Sequence, residues 1–462
     1  MDGFSGRKEE LQYLEKLYAE SPIGTCAVYG RRRIGKTTLI EKFCEDKKAI
    51  IFPMIETSEA INLDNMHKIM TGHSGKDIHE FRTFIDALNT LKEICSEERT
   101  VIVFDELPYL VAAAPYVPSA LQHFIDRDLP RMGAFLIVCG SSIATMRTEI
   151  GDYGRPLYGR FVGRMEIGPL PLRECATMHP NVSDTDILRI YMTVGGIPLY
   201  HRFMNRSTYK ECIKENFLGR LSFLAEEARG IVDRELSPVS VHSSILSAVA
   251  RGSVRLNEIA EKAGVTSALC GRYIGEMEFL GIMERVHPMA DAPKRPMYRI
   301  MDNLVRFHYS VIERNPEVFT ASDKNEAYST IEHSIDTFLG VSFEDVCADY
   351  IRTEYTCKEI GKWWGRIEDS DVDIDILAQV TDRNEEMFLF CECKFRRQKV
   401  GFNVLNTLES RSEHVKGPIN RRMVIFSASG FEDELIDYAA KDRKLILVGP
   451  DELFGRTKSK TI

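Results

Sequence analysis

The sequence predicts an α/β protein built in parts: a parallel sheet around a phosphate-binding loop, a helical segment, a winged helix-turn-helix, and a second α/β domain. Three observations carry this. Strand-sized apolar runs alternate with amphipathic stretches from Thr25 to Val138. Residues 239–301 compress two short helices, a longer helix and a basic hairpin into one unit. After residue 330 the chain returns to strand-like runs that end near Val448.

Length supports the division. A chain of 462 residues that is 44% hydrophobic exceeds one ordinary core. The formal charge of −9 confines any nucleic-acid surface to a local patch. Eleven cysteines run from Cys26 to Cys393 without C-x-x-C spacing, which reads as reduced thiols in a cytoplasmic protein. The opening "MDGFSGRKEE" has no apolar core of a leader, and runs such as "FLIVC" are strand-sized, so no membrane partner is expected.

In chain order, "TCAVYG" reads as a strand, "TTLIEKFCED" as a helix, "AIIFPMIE" as a strand, "FIDALNTLKEICSEE" as a helix, and "TVIVFDE" and "AFLIVCGSS" as strands. The core so defined spans 1–167. Residues 168–238 turn helical, with "TDILRIYMTVGGIPLYHRFM" the most patterned piece, and read as a lid. A winged helix is expected over 239–315, and the polar stretch "ERNPEVFTASDKNEAYSTIEHS" reads as a linker. The last domain, 330–455, should hold a helix at "FEDVCADYIRTEY", strands at "DVDIDILAQV" and "MFLFCECKF", a helix, a strand at "RRMVIFSAS", and a closing helix and strand.

"GRRRIGKT" fits G-x-x-x-x-G-K-[ST] between a strand and a helix. Gly30, Arg31, Arg32, Arg33, Ile34 and Gly35 would form the loop, whose N–H groups and following helix N-terminus suit phosphate. Lys36 would pair the β and γ phosphates of ATP, Thr37 would place its hydroxyl on Mg²⁺, and Thr38 follows on the same turn. "VIVFDE" supplies Asp105 for the magnesium ion and Glu106 to orient and deprotonate the attacking water. Ser141, beyond the next strand, could sense the γ-phosphate or merely make a turn. Arg160, among Arg155, Arg160 and Arg164, reads either as an arginine finger or as a solvated side chain.

The ordered set "FSGRKEELQYLEKLY", "GRRRIGKTTLI", "VIVFDELPYL", "CGSS", "LYGR" and "VGGIPLYH" resembles the archaeal-type ATPases of the AAA+ and STAND group of P-loop NTPases, over residues 1–235. That resemblance implies a switch-like ATPase whose nucleotide state rearranges attached domains. It implies that Pro198, in Gly196-Ile197-Pro198, presses the lid against the nucleotide, and that Gly6-Arg7 lies near the adenine. Relatives of this group often assemble, so a homo-oligomer is open.

In the winged helix, Leu256, Ile259, Ala260, Val265, Leu269, Tyr273, Ile274 and Met277 make the core face, leaving Ser267, Arg272 and Glu276 outward with little positive charge. Lys294, Arg295 and Arg299 give the hairpin some. The unit reads either as a DNA contact, with DNA favoured over RNA, or as a protein-docking module.

In "CECKF" the two-residue period puts Glu392 and Lys394 on one strand face and Cys391, Cys393 and Phe395 on the other, which makes the cysteines core. Asp371, Asp373 and Asp375 share a face of the strand before it, so a hairpin can bring Asp375 and Glu392 to one Mg²⁺, with Lys394 for developing charge. Asp375 with Glu392-Cys393-Lys394 resembles the PD-(D/E)XK nuclease superfamily, a restriction-endonuclease-like fold, without the proline before the aspartate. By that resemblance Glu344 is the additional helix glutamate. Residues 330–455, with "WWG", "IDILA" and "ECKF", also resemble a domain of unknown function often fused to archaeal-type ATPases. The sequence therefore supports an ATP-regulated nuclease, or an ATP-dependent DNA- or protein-binding regulator whose nuclease fold only docks.

Overall fold

The computed structural model describes residues 4–21, 24–95, 99–219, 222–289, 296–367, 370–382, 385–417 and 420–457; the side chains of Glu235 and of 366–371 are outside the description. The chain divides into two compact units. The first comprises residues 1–170 with 197–199, and the second 171–196 with 200–462.

The first unit is organised by β1 (Gly24–Tyr29), β2 (Ala49–Pro53), β3 (Val101–Asp105), β4 (Phe135–Gly140) and β5 (Gly163–Glu166), in the order β2-β3-β4-β1-β5. All neighbours are parallel. Every residue of β3 and β4 is buried, as a sheet covered on both faces requires, and Phe52 of β2 stacks on Phe104 of β3 with ring centroids 5.5 Å apart. The order matters for function: β1, β4 and β3 are consecutive, so the loops leaving their C-terminal ends emerge side by side. β5 is the strand that the pattern hid, since four residues, "GRME", alternate buried and exposed at the sheet edge.

The second unit opens with helices including Asp184–Val194 and Tyr209–Asn216. Three helices, Val239–Ala250, Leu256–Ala263 and Ser267–Phe279, then lead into an antiparallel hairpin of β6 (Met283–Val286) and β7 (Met297–Ile300). Its large sheet comprises β8 (Thr356–Ile367), β9 (Ser370–Asp382), β10 (Glu385–Lys394), β11 (Arg421–Ser427) and β12 (Leu445–Val448), in the order β12-β11-β10-β9-β8. β8, β9 and β10 run antiparallel, and β10, β11 and β12 parallel.

The expected linker is ordered instead. A 31-residue helix, Lys324–Glu354, starts inside it, so the boundary at 330 falls within a helix. Ala327, Tyr328, Ile331, Ile335, Phe338 and Leu339 give it a buried stripe at helical spacing, and the Asp323 side chain caps it by accepting from Asn325 N. The intervening charged residues masked that stripe. β8 also went unpredicted: Lys358, Glu359, Gly361 and Lys362 interrupt any strict alternation, and pairing with β9 rather than propensity holds it extended.

Candidate functional site

Two groups of chemistry-bearing side chains form, one in each unit. In the first, the loop after β1 is shaped by two glycines. A Cβ on Gly30 would lie 2.4 Å from the carbonyl oxygen of Ile167, so only glycine lets the loop leave the strand there. Gly35 has φ 93°, in the left-handed region, and caps the helix Lys36–Cys44. Between them Arg33 also has positive φ, at 68°, while Ile34 is buried and anchors the loop from below. Arg31 is half-buried, and exposed Arg32 donates to the Tyr109 hydroxyl.

Lys36 is buried, and its Nζ donates to the carbonyls of Gly30 at 2.9 Å and Arg31 at 3.0 Å. Glu106 Oε1 lies 4.0 Å from the same ammonium. Thr37 Oγ1 donates to Asp105 Oδ2 at 2.8 Å, and Asp105 Oδ1 is buried. Thr38 is exposed on the following position. Lysine, hydroxyl and two carboxylates therefore converge at the ends of β1 and β3.

Glu106 is held in an unusual way. Its φ of 55° is rare for a residue with a side chain, and its Oε2 accepts from both the backbone N and the Oγ of Ser141 at 2.8 Å. Ser141 thus contacts the carboxylate, which the sequence reading did not foresee. Arg7, also in the left-handed region, donates to the carbonyls of Ile34 at 3.2 Å and Gly168 at 2.6 Å, fastening the start of the chain to the back of the loop. Pro198 lies against the loop as well, its Cγ 3.8 Å from where a Cβ on Gly35 would be.

Arg160 is not brought to this site within its own chain. Its guanidinium forks onto the Asp126 carboxylate at 2.9–3.1 Å, and its carbonyl accepts from Thr25 Oγ1. Thr25 is near the start of β1, about 16 Å of extended strand from Gly30. Asp126 and Thr25 hold it at the opposite end of β1 from the loop.

The second group forms around a β-bulge. Gly361 of β8 faces Leu377 of β9, and Trp363 faces Ile374, so Asp375 and Ile376 together oppose the single residue Lys362. Such an extra residue re-aims side chains. Asp375 Oδ2 accepts from Cys393 N on β10 at 2.8 Å. Burial first, then the Glu392 and Glu344 carboxylates, push the Asp375 carboxyl up to about 7.

Glu392 is 4% exposed, with Lys394 Nζ on Oε1 and Arg411 Nη1 3.4 Å from Oε2. Arg411, on the helix Phe402–Glu413, also donates to the Asp373 carbonyl at 3.1 Å. Glu344 on the long helix is ion-paired with Lys362, and burial raises its carboxyl. Among the described residues no three of His, Cys, Asp or Glu gather as one metal set, and Glu344 lines the same cavity as Asp375. The cysteines of "CECKF" are buried as expected, and Phe395 meets Phe343 of the long helix. The Asp371 side chain lies outside the described residues.

Lys362 and Arg411 were missed by sequence. The only signal for Lys362 was its place in "GKWWG", whose strand character itself went unseen; Arg411 looked like any basic residue in a helix's last turn.

The hairpin departs from expectation too. Lys294 and Arg295 lie outside the described residues. Arg299 is not free for phosphate: it pairs with Glu284 on β6 and with Asp345 of the long helix at 2.5 Å. Burial alone would raise the Asp345 carboxyl, yet Arg306 and Arg299 outweigh it and hold the group down at about 2.

Residues 4–201 match the family described as an ATPase domain predominantly from Archaea, and residues 308–412 match one described as archaeal and bacterial proteins of unknown function. An uncharacterized protein of Methanocaldococcus jannaschii is 26% identical over 415 residues, 86% of this chain and 88% of its own. An uncharacterized ATP-binding protein of the same organism is 53% identical over 45 residues, 10% of this chain and 76% of its own. Among solved structures, the Walker-type ATPase of Pyrococcus abyssi aligns with a TM-score of 0.50 at 17% identity, covering 67% of this chain and 96% of that one. Residues 4–201 are thus similar to an archaeal ATPase domain, and the first unit has an α/β fold with a parallel central sheet.

Proposed function

We propose that this protein is an ATP-hydrolysing switch whose second unit carries a winged helix and a magnesium-dependent nuclease-like site for nucleic acid. The ATPase part is carried by one observation: Lys36, Thr37, Asp105 and Glu106 converge on the glycine-framed loop, with the Thr37 hydroxyl hydrogen-bonded to Asp105. Lys36 neutralises phosphate, the loop N–H groups cradle it, and Glu106 takes the proton of the attacking water. The Asp105 carboxylate and the Thr37 hydroxyl suit a hydrated Mg²⁺, which when bound offsets charge on the phosphates. Ser141 keeps the Glu106 carboxylate aimed.

The nuclease part rests on half-buried Asp375 and buried Glu392 on neighbouring strands, with Lys394 on the Glu392 carboxylate. Two hard carboxylates fit Mg²⁺, which accepts one or two of them together with substrate phosphate. Asp375 and Glu392 would hold the ion, and Lys394 would face developing negative charge on the phosphate. DNA is the favoured substrate over RNA.

A second reading, a regulator that binds DNA or protein and does not cut, is favoured by Lys394 and Arg411 on the Glu392 carboxylate, which neutralise it without any ion. An arginine supplied by a second copy would make the active state a homo-oligomer.

The test is incubation of the purified protein with Mg²⁺ or Mn²⁺ and labelled single- and double-stranded DNA and RNA, with and without ATP. Cleavage lost in Asp375→Ala and ATP hydrolysis lost in Lys36→Ala are the expected results. Cleavage that persists in Asp375→Ala overturns the site; no cleavage in any lane with ATP still hydrolysed leaves the regulator.

A further inference from the structure

The hairpin β6–β7 continues into the large sheet of its own unit. Beyond β6, Pro288 bridges Lys362 of β8 in parallel, and Met289 N donates to the Lys362 carbonyl at 2.9 Å. Met289 is 3% exposed and packs in the same apolar cluster as Trp363, Ile374 and Phe390. Gly361 makes room for it, since a Cβ there would lie 3.1 Å from Met289 Cγ. The Arg255 guanidinium sits 5.6 Å from the Trp364 ring centre, and Asp345 takes both Arg299 and Arg306. Backbone pairing, a buried anchor and ion pairs all fix the hairpin against β8 and the long helix.

This seam encloses a cavity of about 230 Å³. One wall is the bulge and long helix, with Asp375, Glu344 and Lys362; the facing wall is the hairpin, with Arg285 and His287. Two positions apart on an extended segment, Arg285 and His287 share a side and are both exposed. Arg285 is ion-paired with Glu278 at 3.3 Å and lies over the Tyr298 ring, 5.4 Å from its centre. The helix Ser267–Phe279 is by contrast poor in cations, with Arg272 tied to Glu276.

We infer that the hairpin and the bulged strand form one composite cleft for a nucleic-acid strand, in which Arg285 and His287 take backbone phosphate beside Asp375. The inference deepens the nuclease-like reading of the same site. It gives the hairpin a partner in its own chain and moves nucleic-acid recognition from the helix Ser267–Phe279 to the seam. The acids of one wall repel phosphate, and the hairpin offsets them only because strand pairing holds it there.

The experiment measures binding of short labelled single-stranded DNA and its duplex to the full protein by fluorescence anisotropy in Ca²⁺, across a salt series. The variants are Arg285→Ala with His287→Ala, Arg285→Lys, and Arg272→Ala. The double variant should bind about tenfold more weakly with a salt slope shallower by about 1, as loss of a phosphate contact gives. Arg285→Lys should restore most of the affinity, which a misfolded variant would not, and Arg272→Ala should match the parent. A double variant that binds like the parent, a loss confined to Arg272→Ala, or a parent protein that binds no probe overturns the inference. Binding that depends on Arg285 without any strand cutting sustains the cleft and sinks the nuclease reading; cutting that ignores Arg285 does the reverse.

Discussion

At the scale of single residues, Glu106 shows how a site can be strained into readiness. A carboxylate on a backbone of positive φ needs a counter-hold, and Ser141 supplies two donors. Glu106→Gln should keep ATP binding and lower turnover by about 10²–10⁴, the usual share of a general base. Ser141→Ala removes one of the two donors and should lower kcat with little change in KM, read by steady-state kinetics. A second residue-scale case is buried. His201 Nε2 donates to the Gly195 carbonyl, so its Nδ1 must accept from His179 Nε2, and both rings are neutral. Burial, then His179, lowers the His201 pKa to about 3, against about 6.5 for an unfolded histidine. The folded form thus refuses a proton that the unfolded chain accepts. Stability from this pair is complete above pH 6.5 and drains away between about 6.5 and 3, at up to about 1.4 kcal/mol per pH unit. Denaturant melts across that range should show the loss, and His201→Gln should flatten it.

At the scale of elements, what the sequence disclosed and what it hid follow one rule. The fully buried strands β3 and β4 announce themselves as continuous apolar runs, and with them came Lys36, Thr37, Asp105 and Glu106. β5, β8 and the long helix did not, because their apolar residues are thinned by charges, several of which pair across the fold, as Lys362 does with Glu344 and Lys358 with Glu386. Asp375 was legible from its alternation with Glu392 on the next strand; the bulge that aims it was not, since register is a property of two strands. Arg299 misled in the same way, as its partners sit on β6 and on a helix 46 residues away. Gly30→Ala places a methyl against a backbone carbonyl, so the loop must shift, and ATP affinity should fall at least tenfold by equilibrium binding. Met289→Ala should cost about 2–5 kcal/mol, and hydrogen exchange should accelerate at the Met289 amide before the centre of β10.

At the scale of the whole molecule, the nucleotide acts as a stabiliser of whichever unit binds it. ATP at a hundred times its Kd adds about 2.7 kcal/mol, so a melting curve should show one ATP-dependent transition that Lys36→Ala abolishes. A nucleotide shift in every transition would instead mean that the two compact units melt as one. The seam at Met289 has a further consequence, for how the chain can be divided. A fragment that begins at the long helix strips β8 of its neighbour and bares the apolar pocket around Trp363, leaving an unprotected strand edge of the kind that recruits other chains. Cut before Val239, the same region keeps its own plug, and of the two fragments only this one should stay dispersed in solution.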